Sequence, residues 1–288
     1  MRYLKHLLKK YFQILWMRDK FSPATQIALR QLYHFYQLNI QHSDKINLSS
    51  AGFKVFSQFE EDGKILFVLA VIGIKHSSFI EIGADDGLNS NCANLALNFG
   101  WHGLFIDANK LTISRGRYFY KRYPNPYGNK PVFIHSKVTR ENINDLIEKN
   151  GYSGEIDLIS LDIDGNDYWI WDALTIVNPR IVIIETHIIY GHRNIVVPYD
   201  PAYSFPGKHA QYHGASPVAM VKLGQKKGYR LVGANELGFN FIFVRNDLGQ
   251  EALPEVTIDD VLTHPSCRKH EQDLDPIVLT LPFVTPIE

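Results

Sequence analysis

Residues 79–87 read Phe-Ile-Glu-Ile-Gly-Ala-Asp-Asp-Gly, a short apolar run ending in a turn of glycines and acids. Glycines let backbone come close to a ligand. The acids restrict which ligand that is. A phosphate-binding turn presents bare N–H groups and a helix N-terminus to an anion, whereas Glu81, Asp85 and Asp86 would repel a pyrophosphate. They suit a ligand with a cationic centre and no phosphate, such as S-adenosylmethionine (SAM). Asp107 follows roughly twenty residues later, the spacing at which a carboxylate accepts both hydroxyls of a ribose. A second group consists of Asp162, Asp164, Glu185 and His187, and four of the chain's 12 histidines (His187, His192, His209 and His213) lie between 187 and 213. Asp164, Glu185 and His187 are ligand types for Mg²⁺ or Mn²⁺, or for another divalent transition ion if the imidazole ligates. The competing reading makes Asp162 and Asp164 caps of a helix beginning at Asp167, and the histidines surface residues. Without a metal, a hydroxyl acceptor still needs a base, and a histidine near neutrality is the usual one. His187, Asp162 and His213 are the candidate catalytic residues.

These side chains need a scaffold that brings distant segments to one rim. Apolar runs predict strands at 78–83, 103–106, 132–134, 156–161 and 180–184, and a hairpin of 229–233 with 240–244 around Gly238. Helical spacing predicts helices at 65–74, 89–99 (Asn89 or Ser90 as cap, Gly100 as stop), 109–122, 139–150 (capped by Thr139) and 215–227. The runs at 156–161 and 180–184 are mostly apolar, Asp157, Ser160 and Arg180 being the exceptions, as a sheet covered on both faces requires. Strand–helix alternation ending in a hairpin predicts an α/β fold: a mostly parallel sheet, helices on both faces and one reversed edge strand. Ligands of such sheets bind beyond the carboxyl ends of the strands. Those ends carry Glu81, Gly83 and Asp85, then Asp107, then Ser136, then Asp162 and Asp164, then Glu185 and His187. The long loop 186–213 adds Tyr190, Tyr199, Tyr203, Phe205 and Tyr212, which suit either a polyhydroxylated ligand or an apolar plug. Pro124-Asn-Pro-Tyr127 superficially matches a base-methylating signature but precedes the third strand, and is read as a turn.

Thirty basic and 30 acidic residues cancel, so no global field attracts nucleic acid. Two cysteines make no disulfide framework, which fits a reducing cytoplasm. The apolar run 65–74 is too short to span a bilayer, and the basic N-terminus lacks the apolar core of a secretory leader. Residues 1–20 alternate Leu4, Leu7, Leu8, Tyr11, Ile14 and Leu15 with lysines and arginines at helical spacing. That pattern fits a peripheral membrane-surface helix or a helix packed on the body or on a second copy of the chain. The expected organisation is an N-terminal helical extension (1–55), one domain (56–248) and a Pro-containing tail packed on it (249–288).

Four segments together resemble the FkbM-type SAM-dependent methyltransferases: Ser57-Gln-Phe-Glu-Glu-Asp-Gly63, Glu81-Ile-Gly-Ala-Asp-Asp-Gly87, Leu161-Asp-Ile-Asp-Gly-Asn-Asp-Tyr-Trp169 and Lys227-Gly-Tyr-Arg-Leu-Val-Gly-Ala-Asn235. The resemblance covers roughly residues 55–248. It implies a class I methyltransferase (Rossmann-like) fold, with a mostly parallel seven-stranded sheet and a C-terminal antiparallel hairpin. It also implies methyl transfer from SAM to a hydroxyl, often on a sugar, glycan or small natural product. By that resemblance Glu81, Gly83, Asp85 and Asp107 hold SAM, with Gln58 and Asp62 near its methionine end. Ser136 is the third-strand candidate. Glu60 departs from the pattern, which has a small residue there. A nicotinamide-dependent oxidoreductase would need a Gly-x-Gly-x-x-Gly turn with room for pyrophosphate, which Asp85-Asp86 oppose. A non-catalytic glycan- or membrane-associated scaffold remains the other class.

Overall fold

A computed structural model describes residues 2–40, 47–123 and 128–286, with the side chains of 2–6 and 9 excepted. The segment Pro124–Tyr127 lies outside the described residues. The chain divides into two compact units, Met1–Lys137 and Val138–Glu288. Its strands form a seven-stranded sheet in the order β3-β2-β1-β4-β5-β7-β6, where β1 is Ser78–Ile82, β2 His102–Asp107, β3 Val132–His135, β4 Gly154–Leu161, β5 Val177–Glu185, β6 Tyr229–Ala234 and β7 Asn240–Arg245. This is a mostly parallel α/β sheet with an antiparallel hairpin, the class I methyltransferase fold.

In the first unit β1 pairs with β2, and β2 with β3, all parallel. β1 is buried along its whole length. Helices α1 (Arg2–Trp16), α2 (Pro23–Asn39), α3 (Glu61–Ile72) and α4 (Lys110–Arg122) accompany them. The α3 start is shaped by Ser57, whose hydroxyl accepts from Asp62 N at 3.2 Å. Gly63 has no freedom to carry a side chain: an added Cβ would lie 2.2 Å from the Ala51 carbonyl. The helix expected over 89–99 is instead a set of turns followed by a π-helical turn, Leu95–Phe99. The reason is Glu81. Its carboxylate reaches from β1 to accept the N–H groups of Asn91 and Cys92 at 3.0 and 2.9 Å, which holds the turn before the helix in place. Gly100 ends it in the left-handed conformation (φ 76°), as its position before β2 predicts.

In the second unit β4 and β5 are parallel, and β7 is antiparallel to both β5 and β6. The reversed strand is therefore internal, not at the edge. Phe241, Ile242, Phe243 and Val244 of β7 are completely buried, whereas β6 carries Arg230. Each strand carries one arginine, Arg245 at the end of β7 and the buried Arg230 in β6, and it is the four apolar residues in the middle of β7 that an interior slot covers on both faces. Helices α5 (Ile143–Lys149), α6 (Asp167–Ala173) and α7 (Pro217–Lys226) connect the strands. Thr139 does not cap α5. It opens the preceding turn, its N–H bonded to the Asn142 side chain at 2.9 Å. Ser216 caps α7 through Ala219 N. The tail forms α8 (Ile258–Val261) and α9 (Pro265–Gln272), and its Leu274 and Val278 join Ile189, Tyr190 and Tyr212 in one apolar cluster. Among the described residues no helix is long and apolar enough to cross a membrane.

Candidate functional site

In the first unit the turn after β1 is built on left-handed backbone. Gly83 has φ 86°, Gly87 φ 68° and Asp85 φ 49°. Asp is among the few side chains that tolerate this region. The N–H groups of Gly83 and Ala84 both donate to Ile106 O, at 2.9 and 3.2 Å, which presses the turn against the end of β2. There Asp107 accepts from Asp85 N through Oδ2 (2.9 Å) and from Asn109 N through Oδ1 (2.6 Å). Each carboxylate oxygen keeps a further lone pair. Ser136 joins by backbone only, its N–H donating to Asp107 O at 3.0 Å. Asp85, Asp107 and Ser136 are thus brought together.

The other acids of this unit are committed to the protein. Glu81 is buried and also accepts from Ser90 Oγ at 2.6 Å. Asp62 Oδ2 collects the N–H groups of Val55, Phe56 and Ser57 and the Ser57 hydroxyl, at 2.6–2.9 Å, while Oδ1 is buried with no partner. Glu81 and Asp62 both act on the Cys92 thiol, which burial, then Glu81, then Asp62 push well above its ordinary pKa. Gln58 is exposed, and its carbonyl takes the Lys54 ammonium at 2.6 Å. Asp86 is not part of an open acidic surface. It is buried, with Oδ2 2.6 Å from Arg115 Nε and 3.0 Å from Gln13 Nε2. Arg115 also reaches Asp85 at 3.2 Å. The repulsion that three free carboxylates would exert on a pyrophosphate is therefore reduced, because one charge is cancelled inside the protein. Arg115 and Gln13 carry no periodic signal that separates them from other polar helix residues, so sequence reasoning passes over both.

Burial raises the Glu81 carboxyl above its ordinary value, against the bonds from Ser90, Cys92 and Asn91. A raised folded value means that the native state holds the proton more tightly than the unfolded chain. The stabilisation is complete below about pH 4.5, the ordinary value, and is lost as pH rises through the folded value. We expect urea unfolding of Glu81→Gln to show a flatter loss of stability above that pH than the unsubstituted protein. Parallel pH profiles for the two would refute this.

In the second unit Asp162, Asp164 and Glu185 each offer one carboxylate oxygen, all within 4.8 Å of one another. Asp162 and Asp164 follow β4 and Glu185 ends β5. Asp164 is held in the left-handed region (φ 54°). Neither aspartate caps α6. The N-cap of α6 is Asn166, without a side-chain cap bond, and Asp167 accepts from Ile163 N (2.8 Å) and Gly165 N (2.9 Å), which ties down the loop that presents the two aspartates. Burial raises Asp167 to about 6. Burial also pushes Glu185 well above the carboxylate range, reinforced by the charges of Asp162, Asp167 and Asp164. Tyr203 is part of the same neighbourhood. Burial and then Asp164, Asp167 and Glu185 raise its hydroxyl to about 12, and its ring packs where a Cβ on Gly165 would be.

His187 is not among the atoms grouped with these carboxylates. Its Nε2 lies 3.2 Å from Gln211 O, and its ring lies 4.0 Å from that of His213. Burial lowers His187 to about 3, with His213 adding to the effect, and burial lowers His213 against the charge of Asp164. His213 Nδ1 is buried without a partner. The remaining histidines of the loop part company: His192 pairs with Asp259 at 2.9 Å and His209 with Asp275 at 3.5 Å. The aromatic residues separate too. Tyr190 and Tyr212 belong to the apolar cluster, and the Tyr212 hydroxyl bonds Pro282 O. Tyr199 accepts from Arg140 N and donates to Glu141. Phe205 is exposed, edge-on to His213.

No protein-family model matches the chain, and no curated protein matches it. Among solved structures, PKMT2 from Rickettsia typhi in complex with AdoHcy is similar at a TM-score of 0.44 and 11% identity, over 68% of this chain and 55% of that one. The present chain therefore spans little more than half of that protein. The O-methyltransferase from Bacillus cereus in complex with SAH gives 0.40 and 15%, over 77% and 90%. The N-terminal domain of EvdMO1 with SAH bound gives 0.40 and 11%, over 74% and 95%.

Proposed function

We propose that the protein is a SAM-dependent O-methyltransferase acting on a hydroxyl of a sugar, glycan or similar polyhydroxylated acceptor, with a divalent metal assisting. The observation that carries this reading is the meeting of Asp162, Asp164 and Glu185 at the ends of β4 and β5 in a sheet of this strand order. The residues present fit SAM. Asp107 retains acceptor capacity for two ribose hydroxyls, and the orphaned Asp62 Oδ1 is an acceptor for the methionine ammonium. When bound, SAM supplies a methyl group on a positively charged sulfur, open to attack by an oxygen nucleophile.

Three mutually repelling carboxylates fit a hard divalent ion such as Mg²⁺ or Mn²⁺. Burial first, and then the charges of its acidic neighbours, raise Glu185, and a bound cation would oppose that repulsion. Asp162, Asp164 and Glu185 would hold the ion, which would lower the pKa of a bound hydroxyl. His187 would serve elsewhere. Its engaged, strongly depressed imidazole suits a positioning role, and the neutral His213, with Nδ1 unpartnered, suits the proton acceptor. Positioning of donor and acceptor contributes much of the rate.

The experiment is transfer of labelled methyl from SAM to a panel of saccharides, before and after exhaustive chelation and with Mn²⁺ restored. Asp164→Ala should retain SAM binding and lose turnover, and His213→Ala should lose about 10²–10⁴-fold. Full activity after chelation would remove the metal from the reading. Absence of SAM binding by calorimetry would remove the reading altogether and favour a scaffold.

A further inference from the structure

Helix α1 is amphipathic in the wrong sense for a helix that only completes a core. Among its described side chains the buried one is polar: Gln13 donates to Asp86 at 3.0 Å. Beside it Tyr11 meets Tyr118 edge-on at 5.4 Å, and Lys10 lies 5.0 Å over the same ring. These contacts fix the rotation of the helix on the first unit. The side turned out carries Leu8, Phe12, Leu15 and Trp16, at spacings of four, three and one, which place them on one stripe. Leu15 and Trp16 are 64% and 65% exposed, and the rings of Phe12 and Trp16 stack at 6.1 Å. A monomeric protein in water keeps few such contiguous apolar surfaces.

Charge identifies what covers the stripe. Residues 2–40 hold seven lysines and arginines against one acid, Asp19, in a chain whose net charge is zero. An apolar stripe with an indole at its end, set in a region of strong net positive charge, matches an anionic phospholipid surface. The rings and leucines enter the acyl boundary and the cations meet the headgroups. A second copy would bring the same positive region against itself, which like-charge repulsion opposes. We infer that the α1 stripe docks the protein on an anionic membrane surface, lying in the interface and not spanning it.

The test is sedimentation with vesicles of phosphatidylcholine alone and with phosphatidylglycerol added. The unsubstituted protein should bind the mixed vesicles and release in high salt. Leu15→Glu/Trp16→Glu, whose side chains are exposed, should bind at least about tenfold more weakly with an unchanged circular dichroism spectrum and melting temperature. Arg18→Glu, also exposed, should weaken binding while leaving the stripe intact. Failure to bind mixed vesicles would overturn the inference. So would a dimer in analytical ultracentrifugation that Leu15→Glu/Trp16→Glu converts to monomer, since the stripe would then be an interface between copies. Neither outcome depends on whether SAM is the donor.

Discussion

Arg115→Met is expected to destabilise the fold by about 3–5 kcal/mol, the usual consequence of leaving a buried partner charge uncompensated. Asp86 is buried, its Oδ2 lies 2.6 Å from Arg115 Nε, and the other partner of that oxygen is the neutral Gln13 amide. Methionine keeps the length of the arginine stem and removes only the charge and the donors. The loss should reside in the Asp86 pair. The Asp85 pair is half-exposed and water-screened, so it contributes little. Removing both partners in Arg115→Met/Asp86→Leu should recover much of the stability, because no lone charge then stays buried. Urea unfolding of the two variants checks this. A loss under about 1 kcal/mol for Arg115→Met would mean that water reaches Asp86 in the native state and replaces the lost donors.

Asp107→Ala is expected to weaken SAM binding by about 10²-fold or more, since two hydrogen bonds from ribose hydroxyls to a carboxylate contribute about 1.5–3 kcal/mol each. The same change frees Asp85 N and Asn109 N, which the carboxylate now holds at 2.9 and 2.6 Å, so the turn loses its tie to β2 as well. Asp107→Asn separates the two effects. Its amide oxygen can still accept from Asp85 N, while its NH₂ cannot accept a ribose hydroxyl. Its NH₂ then faces Asn109 N–H, so it should keep more stability than Asp107→Ala, though less than the unsubstituted protein, and lose most of the affinity. Calorimetry giving the same affinity for Asp107→Ala would place the ribose elsewhere. The fold should survive in either variant, because Asp107 lies at a strand end and not in the core.

The strands were legible in the sequence because burial on both faces leaves a mostly apolar run, broken only by side chains that the fold partners inside, such as Glu81 and Asp157. Phe79 to Ile82 and Ile156 to Leu161 have that form, and their ends differ from the structure by two residues at most. Glycine stops such as Gly100 were legible for a local reason, the left-handed backbone that they relieve. The late helix after β1 was not legible, since the carboxylate that holds the turn before it, Glu81, comes from ten residues upstream in another element. The place of β7 inside the sheet was hidden because a hairpin pattern states that two strands pair, not which of them meets β5.

Within the candidate sites the sequence by itself determined which carboxylates stand at strand ends, because chain order and strand period decide that locally. Only the tertiary structure decided what each is used for. Asp86 looked like an open charge and is cancelled by Arg115, a residue of α4. Asp162 and Asp164 looked like helix caps or ligands alike, but Asn166 stands at the N-cap and Asp167 holds the loop that sets the pair beside Glu185. His187 and His213 are 26 positions apart in a four-histidine stretch, and folding of the loop brings these two rings together while sending His192 and His209 to separate acids. The outward stripe of α1 depends on the same distinction. Helical spacing alone defines an apolar face, but the rotation set by Gln13 on Asp86 decides that this face meets solvent. Ion pairs, remote caps and helix rotation are set by residues far apart in the chain, and the local pattern carries no information about them.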